Sequence, residues 1–307
     1  MKPSRISKKG IQKMTFEQNM HDYKTAIEEA LKNMVYLNFY SNSFQQKLID
    51  SMNYSIHAGG KRIRPILLLE SNKILGGSHE RAMPFACALE LIHTYSLIHD
   101  DLPAMDDDDL RRGKPTNHTV YGEALAILSG DALLNLAYEI MLESIEDRQG
   151  IDAARILAES SGSRGMVGGQ SVDVLSEGLS IEKDILEYIH INKTSRLIEA
   201  ALKMGAALAG GSKEEIAALS CFGFHLGMAF QIKDDLLDIE GNESLLGKPV
   251  GSDTAVKKNT FPKIIGIPAS KAALEDHTRI AVSELEKIDG DTVFLKTLAS
   301  YLLSRNS

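Results

Sequence analysis

The sequence lacks the features of a disulfide-stabilised, membrane-spanning or nucleic-acid-binding protein. It has only two cysteines, Cys87 and Cys221, and both lie in apolar segments, which indicates buried thiols in a reducing compartment. No stretch approaches the ~18 consecutive apolar residues of a membrane span. The formal net charge of -8 argues against nucleic acid as a partner. We therefore expect a cytoplasmic protein without a membrane span.

The start of the sequence lacks the apolar segment of a secretory signal. Residues 1–13 are basic and polar, so we expect a disordered basic tail, or an upstream start codon with Met14 as the functional start, in preference to a targeting segment. No Pro/Ser-rich linker divides the remainder. Residues 14–307 are accordingly predicted to form a single domain.

Strand-like alternation of apolar and polar residues is also almost absent. Apolar residues instead recur with the period of an α-helix, and glycine pairs such as Gly168-Gly169 are expected to break the helices. The candidate helices are 16–36, 43–57, 62–75, 81–101, 121–146, 150–167, 181–191, 194–209, 213–240, 270–287 and 290–304. The sequence thus predicts an all-α bundle. Segments 122–137 and 194–209 are apolar around much of their circumference, which favours a homodimer.

Two compact clusters of carboxylates stand out within this helical pattern. The first extends from Asp100 to Asp106 and the second from Asp234 to Asp238, each in an apolar context where uncompensated carboxylates are unfavourable. Mg²⁺ prefers oxygen ligands and typically combines one or two carboxylates with substrate phosphates. We therefore expect a substrate phosphate to be held through metal between the two clusters.

The two clusters differ in spacing. Asp234 and Asp238 are separated by one helical turn and share a face, with Gln231 one turn earlier on the same side. Asp100 and Asp106 would diverge by about 120° on a continuous helix. Because Pro103 interrupts the helix between them, we expect the chain to loop out and return Asp106 toward Asp100.

Basic residues lie near the first cluster in sequence. Lys61 and Arg64 follow a glycine pair, and Arg111-Arg112 follow the acidic run. A diphosphate approaches bare carboxylates only through a bridging metal, whereas Lys and Arg bind it directly. One chain with both devices indicates two diphosphates that are bound in two different ways.

Several of these residues also have simpler interpretations. An acidic run such as Asp106–Asp109 is usually a solvated loop, and a lone histidine such as His93 is more often a core residue. The pair Lys193-Thr194 would be unremarkable on a surface. The turn Gly168-Gly169-Gln170 is as readily a helix C-cap as a functional feature. The coincidence of two acidic clusters with the arginine pair favours the functional interpretation of the carboxylates.

In these motifs the chain resembles the trans-isoprenyl diphosphate synthases, most closely their bacterial farnesyl diphosphate members. The resemblance extends from about Met14 to Asn306. It covers the blocks Gly59–Pro65, His93–Thr116, Gly168–Asp173, His190–Thr194, Gln231–Asp238, Gly247–Asp253 and Lys258–Pro262. It implies an all-α bundle of ten or more helices around a deep apolar cavity, usually as a homodimer. The implied reaction condenses isopentenyl diphosphate with dimethylallyl or geranyl diphosphate by ionisation, condensation and elimination, and gives farnesyl diphosphate.

The resemblance also implies a role for each matched residue. About three Mg²⁺ ions per active site are implied, with the ligands Asp100, Asp106, Asp234 and, through water, Asp238. The isopentenyl diphosphate pocket is implied to comprise Lys61, Arg64, His93 and Arg112. The implied contacts of the allylic diphosphate are Arg111, Lys193, Thr194, Gln231, Lys248 and Lys258, and the first four of these are implied to act in catalysis.

Product length is predicted to depend on Tyr95 and Ser96, which precede Asp100 by about 6–7.5 Å along a helix. Ser96 is too small to close a tunnel, so Tyr95 is the bulky candidate, and the alternative is a core tyrosine bonded to a neighbouring helix. Synthases of geranylgeranyl or longer products share every motif and remain the alternative function. A terpene cyclase would lack the Gly59–Pro65 block. A non-catalytic regulatory subunit would have lost Asp or Arg ligands.

Overall fold

The structure, a computed structural model, describes residues 15–37, 44–240 and 259–304. Three of the predictions lie outside the described residues: the basic tail 1–13, Lys248 and Lys258.

Helices dominate the described chain, and the all-α prediction is confirmed. The helices are α1 (Phe16–Leu37), α2 (Gln46–Ile56), α3 (Ile63–Ile74), α4 (His79–Asp100), α5 (Asn117–Tyr121), α6 (Glu123–Glu143), α7 (Arg148–Ser161), α8 (Met166–Leu175), α9 (Lys183–Ile189), α10 (Arg196–Leu208), α11 (Lys213–Glu240), α12 (Phe261–Ile265), α13 (Ile267–Glu284) and α14 (Val293–Ser304). A π-helical segment, His190–Ser195, joins α9 to α10, and a 3₁₀ turn, Leu285–Lys287, follows α13. Strands β1 (Leu110–Arg111) and β2 (Lys114–Pro115) form a small antiparallel hairpin in which Leu110 pairs with Pro115.

The predicted helix break at Gly168-Gly169 is wrong, because α8 runs straight through both glycines. The break lies earlier, between Ser161 and Met166. A Cβ atom on Gly169 would lie 2.4 Å from the backbone nitrogen of Lys193. The missing side chain therefore permits α8 to approach the π-helical segment closely, and no turn is required there.

Helix α10 packs in the interior against α3, α7 and α11. Its apolar circumference is satisfied within the chain, since most of its residues from Leu197 to Leu208 are buried. Close contact with α3 depends on Gly205, where a Cβ atom would lie 2.2 Å from the carbonyl oxygen of Leu68. Helix α6 differs, because it packs on α4 but leaves Ile127, Leu128 and Leu142 exposed.

Helix α6 and residues Lys213–Ile239 of α11 are long and apolar enough to cross a membrane by length and composition. About half of each apolar window, 44% and 50%, is nevertheless buried inside the structure. Both helices pack along neighbouring helices of the bundle, α6 against α4 and α11 against α10 and α13. They are therefore arranged as core helices of the bundle.

Candidate active site

Two adjoining cavities lie beside the C-terminal half of α4. One, the polar cavity, has a volume of about 770 Å³ and a mixed wall that carries many charged side chains. The other, the apolar cavity, has a volume of about 690 Å³ and a largely apolar wall. Residues that line the polar cavity include Lys61, Asp106, Arg111, Arg112, Gln231 and Asp234. Residues that line the apolar cavity include Tyr95, Leu102, Met105, Met166 and Val174. Both cavities share Arg64, His93, Leu97, Asp100, Lys193 and Thr194, so a ligand can extend from one into the other.

The first acidic cluster begins at the last residue of α4. The backbone N–H of Asp106 donates to the carbonyl oxygen of Asp100 at 2.8 Å, which confirms that the chain returns after Pro103. Asp107 completes the return in the left-handed region with a φ of 52°. Asp101 is turned away from solvent, and its Oδ1 accepts from Nε and Nη2 of Arg111 at 2.6 and 2.5 Å. Asp100 and Asp106 thus line the cavity, while Asp101 holds Arg111.

The surroundings of Asp100 disfavour its charged form, so a nearby cation would stabilise the carboxylate. Burial raises the pKa of its carboxyl group to about 6, with Lys193 opposing the shift and Asp106 adding to it. Among the described residues, no three His, Cys, Asp or Glu side chains are placed to hold a metal ion by themselves. Carboxylates on separate walls of one cavity nevertheless suit Mg²⁺, because this ion commonly completes its coordination with substrate phosphate and water. The donor set therefore fits Mg²⁺ together with a bound diphosphate.

The second acidic cluster lies on the uninterrupted helix α11. Asp234 lines the polar cavity, as does Gln231 one turn earlier. Asp235 is buried and accepts from the backbone N–H of Phe261 at 2.9 Å and from Nε2 of Gln231 at 3.2 Å. Asp238 is buried one turn beyond Asp234, and its part in metal binding stays a prediction.

The π-helical segment carries Lys193 and Thr194 to the place where the two cavities meet. The Lys193 ammonium donates to Oδ2 of Asp173 at 2.6 Å, and the Thr194 hydroxyl donates to Oε1 of Gln231 at 2.9 Å. Burial alone would lower the pKa of Lys193, but Asp173 and Asp100 raise it on balance. The ammonium therefore stays charged beside Asp100. Sequence reasoning assigned no role to Asp173, although it ends the matched block that begins at Gly168.

The four residues predicted for isopentenyl diphosphate are brought together at one end of the polar cavity. Nη1 of Arg64 lies 3.2 Å from Nε2 of His93, and a guanidinium nitrogen of Arg112 donates to the carbonyl oxygen of Gly59. Lys61 lines the same wall. Burial, together with the nearby Arg64, lowers the pKa of His93 well below its usual value, so its ring is neutral. Nε of Arg64 is buried and has no hydrogen-bond partner within the described residues.

The residues predicted to control chain length lie beside the apolar cavity. Tyr95 lines it one turn before Asp100 and contacts the ring of His99 edge-on, with centroids 5.8 Å apart. Ser96 also lines the cavity, and its hydroxyl donates to the carbonyl oxygen of His93. Gln170, on the neighbouring α8, is no C-cap residue. Its carboxamide is buried in the cavity wall and lacks a hydrogen-bond partner in the part of the chain that the structure describes.

Comparison with known proteins places these cavities in a family context. The family model described as Polyprenyl synthetase matches residues 45–289. The farnesyl diphosphate synthase of Geobacillus stearothermophilus is 43% identical over 298 residues, which is 95% of this chain and 99% of that protein. Large subunit 2 of a heterodimeric geranylgeranyl pyrophosphate synthase of Arabidopsis thaliana is 47% identical over 265 residues, 85% of this chain and 70% of that protein.

Solved structures show the same likeness. A geranyltransferase from Legionella pneumophila superposes with a TM-score of 0.83 at 33% identity, covering 94% of this chain and 97% of that chain. An FPP/GFPP synthase from Zymomonas mobilis, solved without ligand, gives a TM-score of 0.82 at 31% identity. This second match covers 92% of this chain and 99% of that one.

Proposed function

The chain belongs to the polyprenyl synthetase family and is a transferase of the prenyl diphosphate synthase class, and we propose that its principal product is farnesyl diphosphate. Isopentenyl diphosphate would be condensed first with dimethylallyl diphosphate and then with geranyl diphosphate. The observation that supports this most directly is the arrangement of the polar cavity. Acidic walls and a separate basic end both open into one apolar cavity, as a reaction between two diphosphates with apolar tails requires.

The allylic diphosphate would bind between the acidic walls. Asp100, Asp106 and Asp234, with Asp238 acting through water, would hold Mg²⁺, which supplies positive charge to the leaving pyrophosphate. Arg111 and Lys193 add fixed cations to the same group, where negative charge develops as the allylic C–O bond breaks. The oxygens of Thr194 and Gln231, which are joined by a hydrogen bond and line the polar cavity, would lie near the developing allylic cation. Lys248 and Lys258, outside the described residues, are proposed to contact the same diphosphate.

Isopentenyl diphosphate would bind without metal at the basic end, held by Lys61, Arg64, His93 and Arg112. Its double bond attacks the allylic cation and forms the new carbon–carbon bond. We infer that the departing pyrophosphate accepts the proton that is then lost. The apolar cavity takes up the growing chain and keeps water from the cation.

The direct test is incubation of the purified protein with isopentenyl diphosphate, dimethylallyl diphosphate and Mg²⁺, followed by dephosphorylation and chromatography of the products. We expect farnesol as the main product and no product when EDTA is added in excess. Absence of any condensation product in Mg²⁺ would contradict the proposed function. A main product of geranylgeraniol would support the alternative, which the 47% identity to a geranylgeranyl pyrophosphate synthase subunit keeps open.

Tyr95 is the residue proposed to limit the product to fifteen carbons, because its bulky side chain lines the apolar cavity on the same helix, five residues before Asp100. Replacement of Tyr95 by Ala removes its ring and should shift the product toward geranylgeranyl diphosphate. Tyr54→Ala is the matched control, since Tyr54 packs against Tyr121 and does not line the apolar cavity. A fifteen-carbon product from an active Tyr95→Ala variant would assign chain length to another residue.

We further propose that the protein is a cytoplasmic homodimer. Three apolar side chains on α6, Ile127, Leu128 and Leu142, are exposed, and a second copy would cover them. Sedimentation equilibrium should give a dimer for the parent protein and a monomer for Leu128→Glu. A monomeric parent protein would rule out this assembly.

A further inference from the structure

The glycine-rich turn before α3 contains a residue that the proposed reaction does not use. Arg62 lies between Lys61 and Arg64, yet its side chain is only 1% exposed and is directed into the protein. Its backbone has a φ of 52°, a left-handed conformation that is unfavourable for residues with a Cβ atom. Some other interaction must hold Arg62 in this conformation.

The side chain of Arg62 supplies that interaction by joining three helices. Nη1 donates to Oε1 of Glu90 on α4 at 2.7 Å, and Nη2 donates to the carbonyl oxygen of Ile56 at the end of α2 at 2.5 Å. Nε lies 3.7 Å from a carboxylate oxygen of Glu28 on α1. Glu90 is itself almost fully buried, with a side-chain exposure of 4%. A buried ion pair with additional hydrogen bonds fixes geometry strongly, because loss of one partner leaves an uncompensated charge.

Glu90 also lies beneath the other cations of the basic end. One turn later on α4 is His93, which contacts Arg64. Burial lowers the pKa of the guanidinium groups of Arg64 and Arg112, and the nearby carboxylate of Glu90 opposes this shift in both. Glu90 is thus the buried counter-charge of a cluster of cations, and both Glu90 and Arg62 form part of the cavity wall beside Lys61, Arg64 and Arg112.

The turn is also held by contacts on the side that faces Arg112 and Tyr301. Arg112 donates to the carbonyl oxygen of Gly59 and covers Gly60, where a Cβ atom would lie 2.7 Å from Nη1 of Arg112. The ammonium of Lys61 lies over the ring of Tyr301 at 6.0 Å from its centroid. A shift of the turn would therefore displace both cations together.

We propose that Arg62 and Glu90 are positioning residues, whose buried ion pair holds the left-handed turn that presents Lys61 and Arg64 to isopentenyl diphosphate. This inference rests on the proposed function of the basic end. In this role neither residue contacts the reacting atoms. Loss of either partner should therefore weaken the binding of isopentenyl diphosphate more than the binding of the allylic substrate.

The principal variant is Glu90→Gln, which keeps the shape of the side chain and removes its charge. We expect the KM for isopentenyl diphosphate to rise about 10-fold, equivalent to ~1.4 kcal/mol, while the KM for geranyl diphosphate changes less than about 2-fold. Titration of isopentenyl diphosphate into the protein in EDTA should show the same weakening. Arg62→Lys, which retains the charge but not the forked geometry, should bind more tightly than Arg62→Met. This second pair keeps the test available if Glu90→Gln does not fold.

Glu70→Gln is the matched control. Glu70 is also a buried carboxylate, bonded to Tyr23 and Lys73, but it does not line the polar cavity. Its replacement should lower stability without changing either KM. An unchanged KM for isopentenyl diphosphate in Glu90→Gln, tighter binding of that ligand, or an equal selective loss in Glu70→Gln would each overturn the positioning role.

Lys61→Ala separates this inference from the proposed function. If Lys61→Ala weakens the binding of isopentenyl diphosphate in EDTA while Glu90→Gln does not, the assignment of the pocket is supported and the positioning role is wrong. If the parent protein does not bind isopentenyl diphosphate at all, the proposed function fails and the positioning role fails with it.

Discussion

The two acidic clusters, here called the first wall (Asp100–Asp106) and the second wall (Asp234–Asp238), each direct one aspartate of an adjacent pair to the polar cavity, but their backbone conformations differ. In each cluster the first aspartate of an adjacent pair, Asp100 or Asp234, lines the polar cavity. The second aspartate, Asp101 or Asp235, is buried and holds another part of the chain. The first cluster requires a broken helix that loops back, whereas the second lies on one uninterrupted helix.

The buried aspartates have different partners, and this difference shows how each wall is built. Asp101 holds the cationic side chain of Arg111 beside the cavity, so the first wall combines acid and base. Asp235 accepts from the backbone N–H of Phe261, so the second wall fixes the start of α12 against α11. The buried aspartate of the first wall thus pairs with a charged arginine, whereas that of the second wall accepts from a neutral backbone N–H. Because of this difference, the two walls should respond differently to mutation and to pH.

The largest effect should come from the aspartates that line the cavity. Asp100→Ala and Asp234→Ala remove proposed metal ligands from opposite walls and should each lower kcat by about 10³-fold or more. Steady-state kinetics in Mg²⁺ would measure this, with circular dichroism to verify the fold. Asp152→Ala, at a surface pair with Arg148, should have no effect. Near-parental turnover of either variant would show that one wall acts without metal.

The buried aspartates should differ in stability. Asp101→Asn leaves Arg111 with only the more distant carboxylate of Asp108, at 3.6 Å, and should lower the free energy of unfolding by about 2–4 kcal/mol. This loss is smaller than for a fully buried pair because Arg111 is 30% exposed. Asp235→Asn keeps an oxygen that can accept from Phe261 and should lose only about 1 kcal/mol. Urea denaturation of both variants checks this order. Equal losses would mean that the charge of Asp101 adds nothing.

Acidification of the metal-free protein should change the free energy of unfolding in opposite directions at the two walls. The pKa of Asp100 is raised to about 6, so the folded state binds the proton first and gains stability as the pH falls from about 6 toward 4. His190, which lies 3.6 Å from Asp235, is buried, and its pKa is lowered to about 3. The unfolded state therefore takes up the proton first, and stability is lost as the pH falls below about 6.5.

Each contribution should amount to about 1–3 kcal/mol between pH 7 and pH 4. Urea denaturation across this range, in EDTA, would separate the two. Asp100→Asn should remove the gain, and His190→Gln should remove the loss. A parallel pH profile for both variants would contradict the opposite signs.

The smallest effect should come from the turn that only the first wall needs. Asp107 has a φ of 52°, which glycine adopts freely and a β-branched residue does not. Asp107→Gly should stay within about 0.5 kcal/mol of the parent, and Asp107→Val should lose about 1–2 kcal/mol. Ile239→Val, on the regular helix of the second wall, is the control. A neutral Asp107→Val would mean that the return of Asp106 does not depend on this conformation.

Local sequence rules predicted part of this site and missed another part for a physical reason. The return of Asp106 followed from Pro103, which disfavours a helical conformation at Leu102, and the order of the long helices followed from apolar periodicity. Helical spacing separated Asp235 from the face of Asp234 and Asp238, but the functions of Asp101 and Asp235 were not predictable, because each depends on a partner that spacing does not identify. Those partners, Arg111 and Phe261, lie 10 and 26 residues away.

The glycines of α8 show the same limit. Gly168-Gly169 indicated a helix break by composition, since glycine is unfavourable inside helices. The structure keeps the helix, because Gly169 lies against the backbone of Lys193 and a side chain there would push the two segments apart. Only the close approach of α8 to the π-helical segment distinguishes this use of glycine from a turn.

The sequence by itself determined the helical class, the two acidic clusters, the basic residues and the break at Pro103, because each depends on neighbours within one or two helical turns. The tertiary structure decided what the other aspartate of each pair binds, Arg111 for Asp101 and the backbone of Phe261 for Asp235. It also decided that α10 lies in the interior while α6 keeps three apolar side chains exposed. Periodicity specifies the direction of a side chain relative to its own helix, whereas burial depends on the helices packed against it, and those contacts arise between residues distant in sequence.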